Sequence, residues 1–226
     1  MPEQAPLALL LASSVHDIKN SLGMLIGTLE EVVRSTPIRD QTQRHQFATL
    51  QGEAARINNA LMSLLGLYRL QQEQLPVRVQ EVFVADFLDE QIAANQLLFG
   101  MRGLNVRLHC DPQLCAYFDP NLIGSIINNV LVNAAHYARG GIVVSGAREP
   151  DELVINVQDD GPGFPDKMLD DVCNHQRGID FASGSTSLGL YFAREIAQLH
   201  RRGHQCGRIA LSNLEGGGGC FSLWLP

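Results

Sequence analysis

Along the first third of the chain, apolar residues recur at Ala8, Leu11, Val15, Ile18, Leu22, Leu25, Leu29 and Val32, with spacings alternating between three and four. That period marks the apolar stripe of a long α-helix, because side chains three and four apart share a face. Pro37 interrupts it, and a second stripe of the same alternation runs through Phe47, Leu50, Ala54, Ile57, Leu61, Leu64 and Tyr68 up to the break at Leu75-Pro76. Two stripes in succession predict an antiparallel hairpin. Two helices shield each other only in part, so burying both stripes predicts a homodimer in which two hairpins form a four-helix bundle.

Beyond Pro76 the pattern turns to short β-like runs alternating with helical ones. Strands are expected at 77–84, 105–110, 115–118, 141–147, 153–158, 208–213 and 220–225, and helices at 85–100, 121–138 and 188–200. The stretch up to Gly184 reads as irregular, and Gly216 to Gly219 as a hairpin turn between the last two strands. The fold class is therefore α+β: a helical hairpin over 1–75, then an α/β sandwich over 76–226.

Composition narrows the function. With 45% hydrophobic and 18% charged residues the chain matches an ordinary globular protein. Residues 1–75 carry 6 basic and 7 acidic groups, and residues 76–226 carry 11 and 17, so the basic footprint of a nucleic-acid binder is missing. The apolar run from Ala5 to Ala12 is too short for a membrane span, which takes ~18 residues, and the first four residues lack the positive start of a signal peptide. A cytoplasmic protein is expected. The five cysteines are scattered without a Cys-x-x-Cys pair and suggest neither a disulfide framework nor a zinc ribbon.

Four stretches carry candidate chemistry. His16-Asp17-x-x-Asn20 sits at the edge of the first stripe; the carboxylate can hold one ring nitrogen's proton and leave the other nitrogen free as a nucleophile. Asn129 and Asn133 lie one turn apart on a helix, two neutral amides suited to a hydrated metal and to phosphate oxygens. Asp159-Asp160-Gly161-Pro162-Gly163 ends a strand with an acid able to accept from an exocyclic amine, and with two glycines that admit a flat base. Ser185-Thr186-Ser187-Leu188-Gly189-Leu190 opens a helix whose backbone N–H groups can hold phosphate. Taken singly, these are also a solvated surface pair, a helix with exposed amides, a turn and a helix cap.

In this order the four stretches resemble the catalytic core of bacterial sensor histidine kinases over nearly the whole chain. The resemblance implies a dimerisation and phosphotransfer hairpin followed by an ATP-binding domain of the kind shared with gyrase, Hsp90 chaperones and MutL. It implies His16 as phosphoacceptor, Asp17 as the acid-base residue beside it, and Asn20 as the residue that orients water in dephosphorylation of a partner. Asn133 would ligate Mg²⁺, with Asn129 and His136 near the phosphates of ATP and Tyr137 against the adenine. Asp159 would read the adenine amino group, Gly161 and Gly163 would shape the base pocket, and Ser187, Leu188, Gly189 and Leu190 would underlie the phosphates. A lid between Gly163 and Gly184 would offer Lys167 and Arg177 to the γ-phosphate.

Three departures from the family pattern stand out. Ser21 replaces a common helix-kinking proline, His136 stands where a lysine is usual, and Ser185 and Ser187 replace glycines. They keep a second reading open, a histidine phosphotransferase or phosphatase adaptor with a degenerate nucleotide domain. An ATPase or serine kinase of the same fold would leave His16-Asp17 unexplained. The implied partners are a second copy of the chain, the receiver domain of a response regulator, and a separate sensory protein, since only fifteen residues precede His16.

Overall fold

The computed structural model describes residues 4–35, 40–173 and 186–226. Two long helices, α1 (Gln4–Ser35) and α2 (Gln41–Gln71), form the expected hairpin, and the Asp40 carboxylate caps α2 by accepting from Gln43 N at 2.8 Å. Along α1, Leu22 and Leu29 are half-buried while Ile18, Leu25 and Val32 stay exposed. On α2 the exposed apolar residues are Leu50, Ile57 and Leu64. Both exposed sets repeat every seven residues, the spacing of a helical seam that continues onto another helix.

The remaining elements are β1 (Gln80–Phe83), α3 (Val84–Ala94), α4 (Gln96–Arg102), β2 (Asn105–Cys110), β3 (Cys115–Phe118), α5 (Pro120–Tyr137), β4 (Gly141–Arg148) and β5 (Leu153–Asp159). They continue with α6 (Asp166–Cys173), α7 (Thr186–Leu199), β6 (Arg201–Arg202), β7 (Gln205–Cys206), β8 (Arg208–Asn213) and β9 (Gly219–Leu225). The main sheet has the order β2-β4-β5-β9-β8, with β2 parallel to β4 and the other pairs antiparallel. Its register lines up Val144, Val157, Phe221 and Leu211 in one row and Ile155, Leu223 and Ile209 in another. These rows face α5 and α7, whose Ile123, Ile126, Ile127, Leu131 and Ile196 are fully buried. Each such side chain contributes roughly 1.5–3 kcal/mol by leaving water. The opposite face carries Ser145, Asn156, Ser222 and Trp224, with the Arg208 guanidinium 4.7 Å from the Trp224 ring.

Helix α5 starts where a capping acid precedes a proline. Asp119 is 3% exposed; its Oδ1 accepts from Asn121 N and Leu122 N, and its Oδ2 accepts from Arg78 N at 2.8 Å. The Asp119 N–H donates to His200 Nε2 at 3.0 Å, and His200 Nδ1 lies 3.0 Å from Ile196 O. This cluster ties the segment after α2 to the start of α5 and the end of α7.

The structure differs from the sequence reading in five places. The helix expected over 85–100 is broken at Asn95, whose amide donates to Gln91 O and to Asn128 Oδ1 instead of leaving the turn to the backbone ladder. The first strand is shorter than expected, starting at Gln80. The stretch read as irregular contains α6, and a two-residue ribbon, β6–β7, turns at Gly203 with φ +62°. Finally, α2 has a third face. Besides packing on α1 and exposing its seam, it rests on α4, α5 and α7.

Candidate functional site

A cavity of about 500 Å³ opens between α5 and the sheet, beside the segment that follows β5. Alternation along β5 points Ile155, Val157 and Asp159 to the same side, so Val157 and the acid that ends the strand reach the cavity while Ile155 fills the core. Asp159 Oδ1 accepts from Gly161 N at 2.8 Å. Burial pushes the Asp159 carboxyl up, and the backbone N–H groups of Gly161 and Gly219 act against that rise. Asn133 and Tyr137, one turn apart on α5, line the same cavity, as do Gly163 and Leu190.

The glycines here answer to space and to angle. A Cβ on Gly161 would stand 2.6 Å from Asp159 Oδ1 and 2.7 Å from Tyr137 O, and Gly163 has φ +82°. Gly189 is buried at the start of α7, where a Cβ would strike the amide nitrogen of Asn129. Asn129 and Gly189 thus mark a close approach of α5 and α7. Leu188 packs against the core at the edge of the same helix end.

Several residues that shape the cavity carry no motif signal. Val157, Leu211 and Phe221 form its apolar wall, and Phe164 and Met168 close it from the segment after Gly163. Asn213 holds that segment by a reciprocal pair, accepting from Phe164 N at 2.6 Å and donating to Phe164 O at 2.9 Å. The glycine cluster does more than turn a hairpin: a Cβ on Gly218 would strike Asp159 O, and one on Gly219 would stand 3.2 Å from Asp159 Oδ2. Four glycines where two suffice for a turn were the available signal.

His136 does not line the cavity. Its Nδ1 lies 4.0 Å from Glu53 Oε1 on α2, and its carbonyl accepts from Arg102 at 3.1 Å. Burial, then the Arg102 and Arg56 guanidinium groups, lower its pKa, while Glu53 acts in the opposite sense. Asp17 and Asn20 are exposed on α1. The side chains of His16 and Ser187, and all of Arg177 and Ser185, lie outside the described residues. Lys167 is exposed on α6. Among the described residues there is no group of three His, Cys, Asp or Glu side chains that could hold a metal ion, and no helix long and apolar enough to cross a membrane.

An α/β sandwich whose cavity is built from an Asn-bearing helix, an Asp-x-Gly-x-Gly strand end and a glycine at a helix start is the arrangement of one ATPase class. Residues 118–226 match the family described as histidine kinase-, DNA gyrase B-, and HSP90-like ATPase. Over nearly its whole length the chain is similar to proteins named sensor kinases.

The Pseudomonas aeruginosa sensor protein kinase PilS is 27% identical over 232 residues, covering 97% of this chain and 40% of the relative. The Streptomyces coelicolor signal transduction histidine-protein kinase AfsQ2 is 30% identical over 182 residues, covering 77% and 31%. The chain thus spans well under half the length of these relatives. Full-length ShkA in complex with AMPPNP shares the fold with TM-score 0.64 at 17% identity, covering 96% of this chain and 45% of that one. The Acinetobacter baumannii histidine kinase AdeS follows at TM-score 0.58 and 16% identity, covering 93% and 96%.

Proposed function

We propose that this chain is the catalytic core of a two-component histidine kinase, with residues 1–75 as a dimerising phosphotransfer hairpin and residues 76–226 as its ATP-binding domain. The observation that supports this most is the ionisable Asp159 in a mostly apolar cavity that Asn133 and Tyr137 of α5 also line. Adenine stacks on the apolar wall and donates its amino group to Asp159. The close approach of Asn129 and Gly189 would lead the phosphates toward the start of α7, whose first backbone N–H groups would receive them.

The donor set suits Mg²⁺ held jointly by the Asn133 amide oxygen and the nucleotide phosphates, which would neutralise charge on the transferring group. The chain's own part is positioning. A ring nitrogen of His16 attacks the γ-phosphorus; the nitrogen–phosphorus bond forms as the bond to the β,γ-bridging oxygen breaks, and ADP leaves. Asp17 holds the proton on the other ring nitrogen and stabilises the cation that forms. The phosphoryl group then passes to an aspartate of a response regulator's receiver domain, and Asn20 aligns water for the reverse, hydrolytic role.

The test is phosphoryl transfer from radiolabelled ATP. Label that is acid-labile and base-stable, lost in His16→Gln and kept in His136→Gln, is expected. Acid-stable label, or label that persists in His16→Gln, would overturn the assignment. Wild-type protein that fails to bind ATP at millimolar concentration would move the reading to a phosphotransfer adaptor.

A further inference from the structure

Between the end of β5 at Asp159 and the start of α6 at Asp166 the chain is neither strand nor helix, yet it supplies Phe164 to the cavity. The segment has little means of holding itself. Pro162 and Pro165 have no N–H to donate, and Gly161 N is spent on Asp159 Oδ1. Phe164 is instead held from β8: its N–H donates to Asn213 Oδ1 at 2.6 Å and its carbonyl accepts from Asn213 Nδ2 at 2.9 Å, so one side chain takes both backbone groups.

The seat for Phe164 is built from two strands. Asn213 ends β8 and stands opposite Gly219 at the start of β9. By alternation Asn213 points to the same side of the sheet as Leu211, which walls the cavity, and Gly219 to the same side as Phe221. A Cβ on Gly219 would stand 2.8 Å from Phe164 Cε2 and 3.2 Å from Asp159 Oδ2, so the ring and the acid lie against one glycine. Gly163 completes the fit, since its φ is +82° and a Cβ there would stand 2.6 Å from Asn213 Oδ1. Helix α6 follows at once, packs on β8 and brings Met168 to the cavity. Asn213 itself is exposed and does not line the cavity.

We propose that Asn213 is a positioning residue of the nucleotide site: it seats Phe164 on the Asn213–Gly219 pair, keeps the wall formed by Phe164 and Met168 in place, and so sets the rate at which nucleotide leaves. The proposal rests on the reading of the cavity as an ATP site. Without the Asn213 amide, water takes over both backbone groups of Phe164, and the segment is left with the packing of its ring. The wall then opens more often. Asp159, Asn133 and Tyr137 are untouched, so arrival and recognition of the nucleotide are preserved while its departure quickens.

Two measurements on the full chain test this. Hydrogen exchange of the Phe164 amide, without nucleotide, reports the hold itself; in Asn213→Ala it should quicken about tenfold while the amides of β5 and β9 keep their parent rates. A loss of folding would quicken all of them. Stopped-flow displacement of an N-methylanthraniloyl derivative of ATP, with Mg²⁺, reports the consequence. Asn213→Ala should raise the dissociation rate about tenfold and leave the association rate at the parent value. Because Asn213 acts through Phe164, the double variant Asn213→Ala, Phe164→Ala should dissociate no faster than Phe164→Ala alone.

An unchanged dissociation rate in Asn213→Ala, or effects that multiply in the double variant, would overturn the positioning role. A parent chain that gives no fluorescence change with the nucleotide overturns the ATP reading and the role built on it; the Phe164 exchange rates then still show whether Asn213 holds the segment.

Discussion

Gly161→Ala perturbs the cavity where it is tightest. Gly161 does not have a positive φ, so space and not backbone angle excludes a side chain there. The added Cβ would stand 2.6 Å from Asp159 Oδ1 and 2.7 Å from Tyr137 O, both well inside the ~3.5 Å of ordinary contact. The Tyr137 carbonyl is backbone at the end of α5 and cannot swing aside, so the carboxylate or the turn that bears Gly161 must move. Either movement breaks the 2.8 Å hydrogen bond from Gly161 N that aims Asp159.

If Asp159 reads the adenine amine, misaiming it forfeits a charge-assisted hydrogen bond of about 1.5–3 kcal/mol. That corresponds to ATP binding about 10- to 150-fold weaker. Overpacking costs a further ~1–3 kcal/mol of stability, or a fall in Tm of roughly 2–10 °C. Calorimetric titration with MgATP measures the first and a thermal melt the second. Gly140→Ala is the control, since its Cβ would meet nothing nearer than Asp160 Oδ2 at 3.7 Å. ATP binding by Gly161→Ala as tight as by the parent would refute the role given to Asp159.

Asp159→Asn should bind ATP more than about tenfold more weakly and yet melt higher at neutral pH. Burial already disfavours the ionised carboxyl, and an amide keeps the acceptor for Gly161 N. By the same sign, ATP binding should weaken as pH falls through the raised Asp159 pKa, which titration across acid pH will follow. Asp119→Ala strips the cap of α5 and the anchor of Arg78 and should cost about 3 kcal/mol in chemical denaturation. His200 accepts from Asp119 N in its neutral form, and its pKa is lowered by burial. Its contribution to stability is therefore full above the unfolded value of ~6.5 and is lost as pH falls through the folded one. Ile57→Glu places a charge in the exposed seven-residue seam and should turn a sedimenting dimer into a monomer; a dimer that persists would mean the seam is not the dimer contact.

Much of the α/β region was legible because its strands alternate cleanly. Asn105–Cys110, Cys115–Phe118 and Arg208–Asn213 match the sequence reading at both ends. The break at Asn95 was not legible, because the partner that makes it worthwhile, Asn128, lies 33 residues away. The docked face of α2 escaped notice for a related reason: Gln51, Asn59 and Ser63 are buried there, and a periodicity of apolar residues cannot register polar ones. At the cavity, contiguous motifs revealed Asn133, Tyr137, Asp159 and Gly163. Leu211 and Phe221 could not be told from ordinary core, since strand residues that wall a cavity and strand residues that fill a core obey the same alternation.

The hydrogen bond from Arg78 N to Asp119 sets the length of a leash. Helix α2 ends at Gln71, and Arg78 is pinned to the ATP-binding domain, so seven peptide steps join the two. Fully extended they reach about 25 Å. A domain on so short a tether meets its helix at an effective concentration near the millimolar range, whatever the concentration of the protein. Leaving the helix is then an excursion within arm's length, and return is a first-order event. An interface too weak to hold two separate molecules together would be strong enough here.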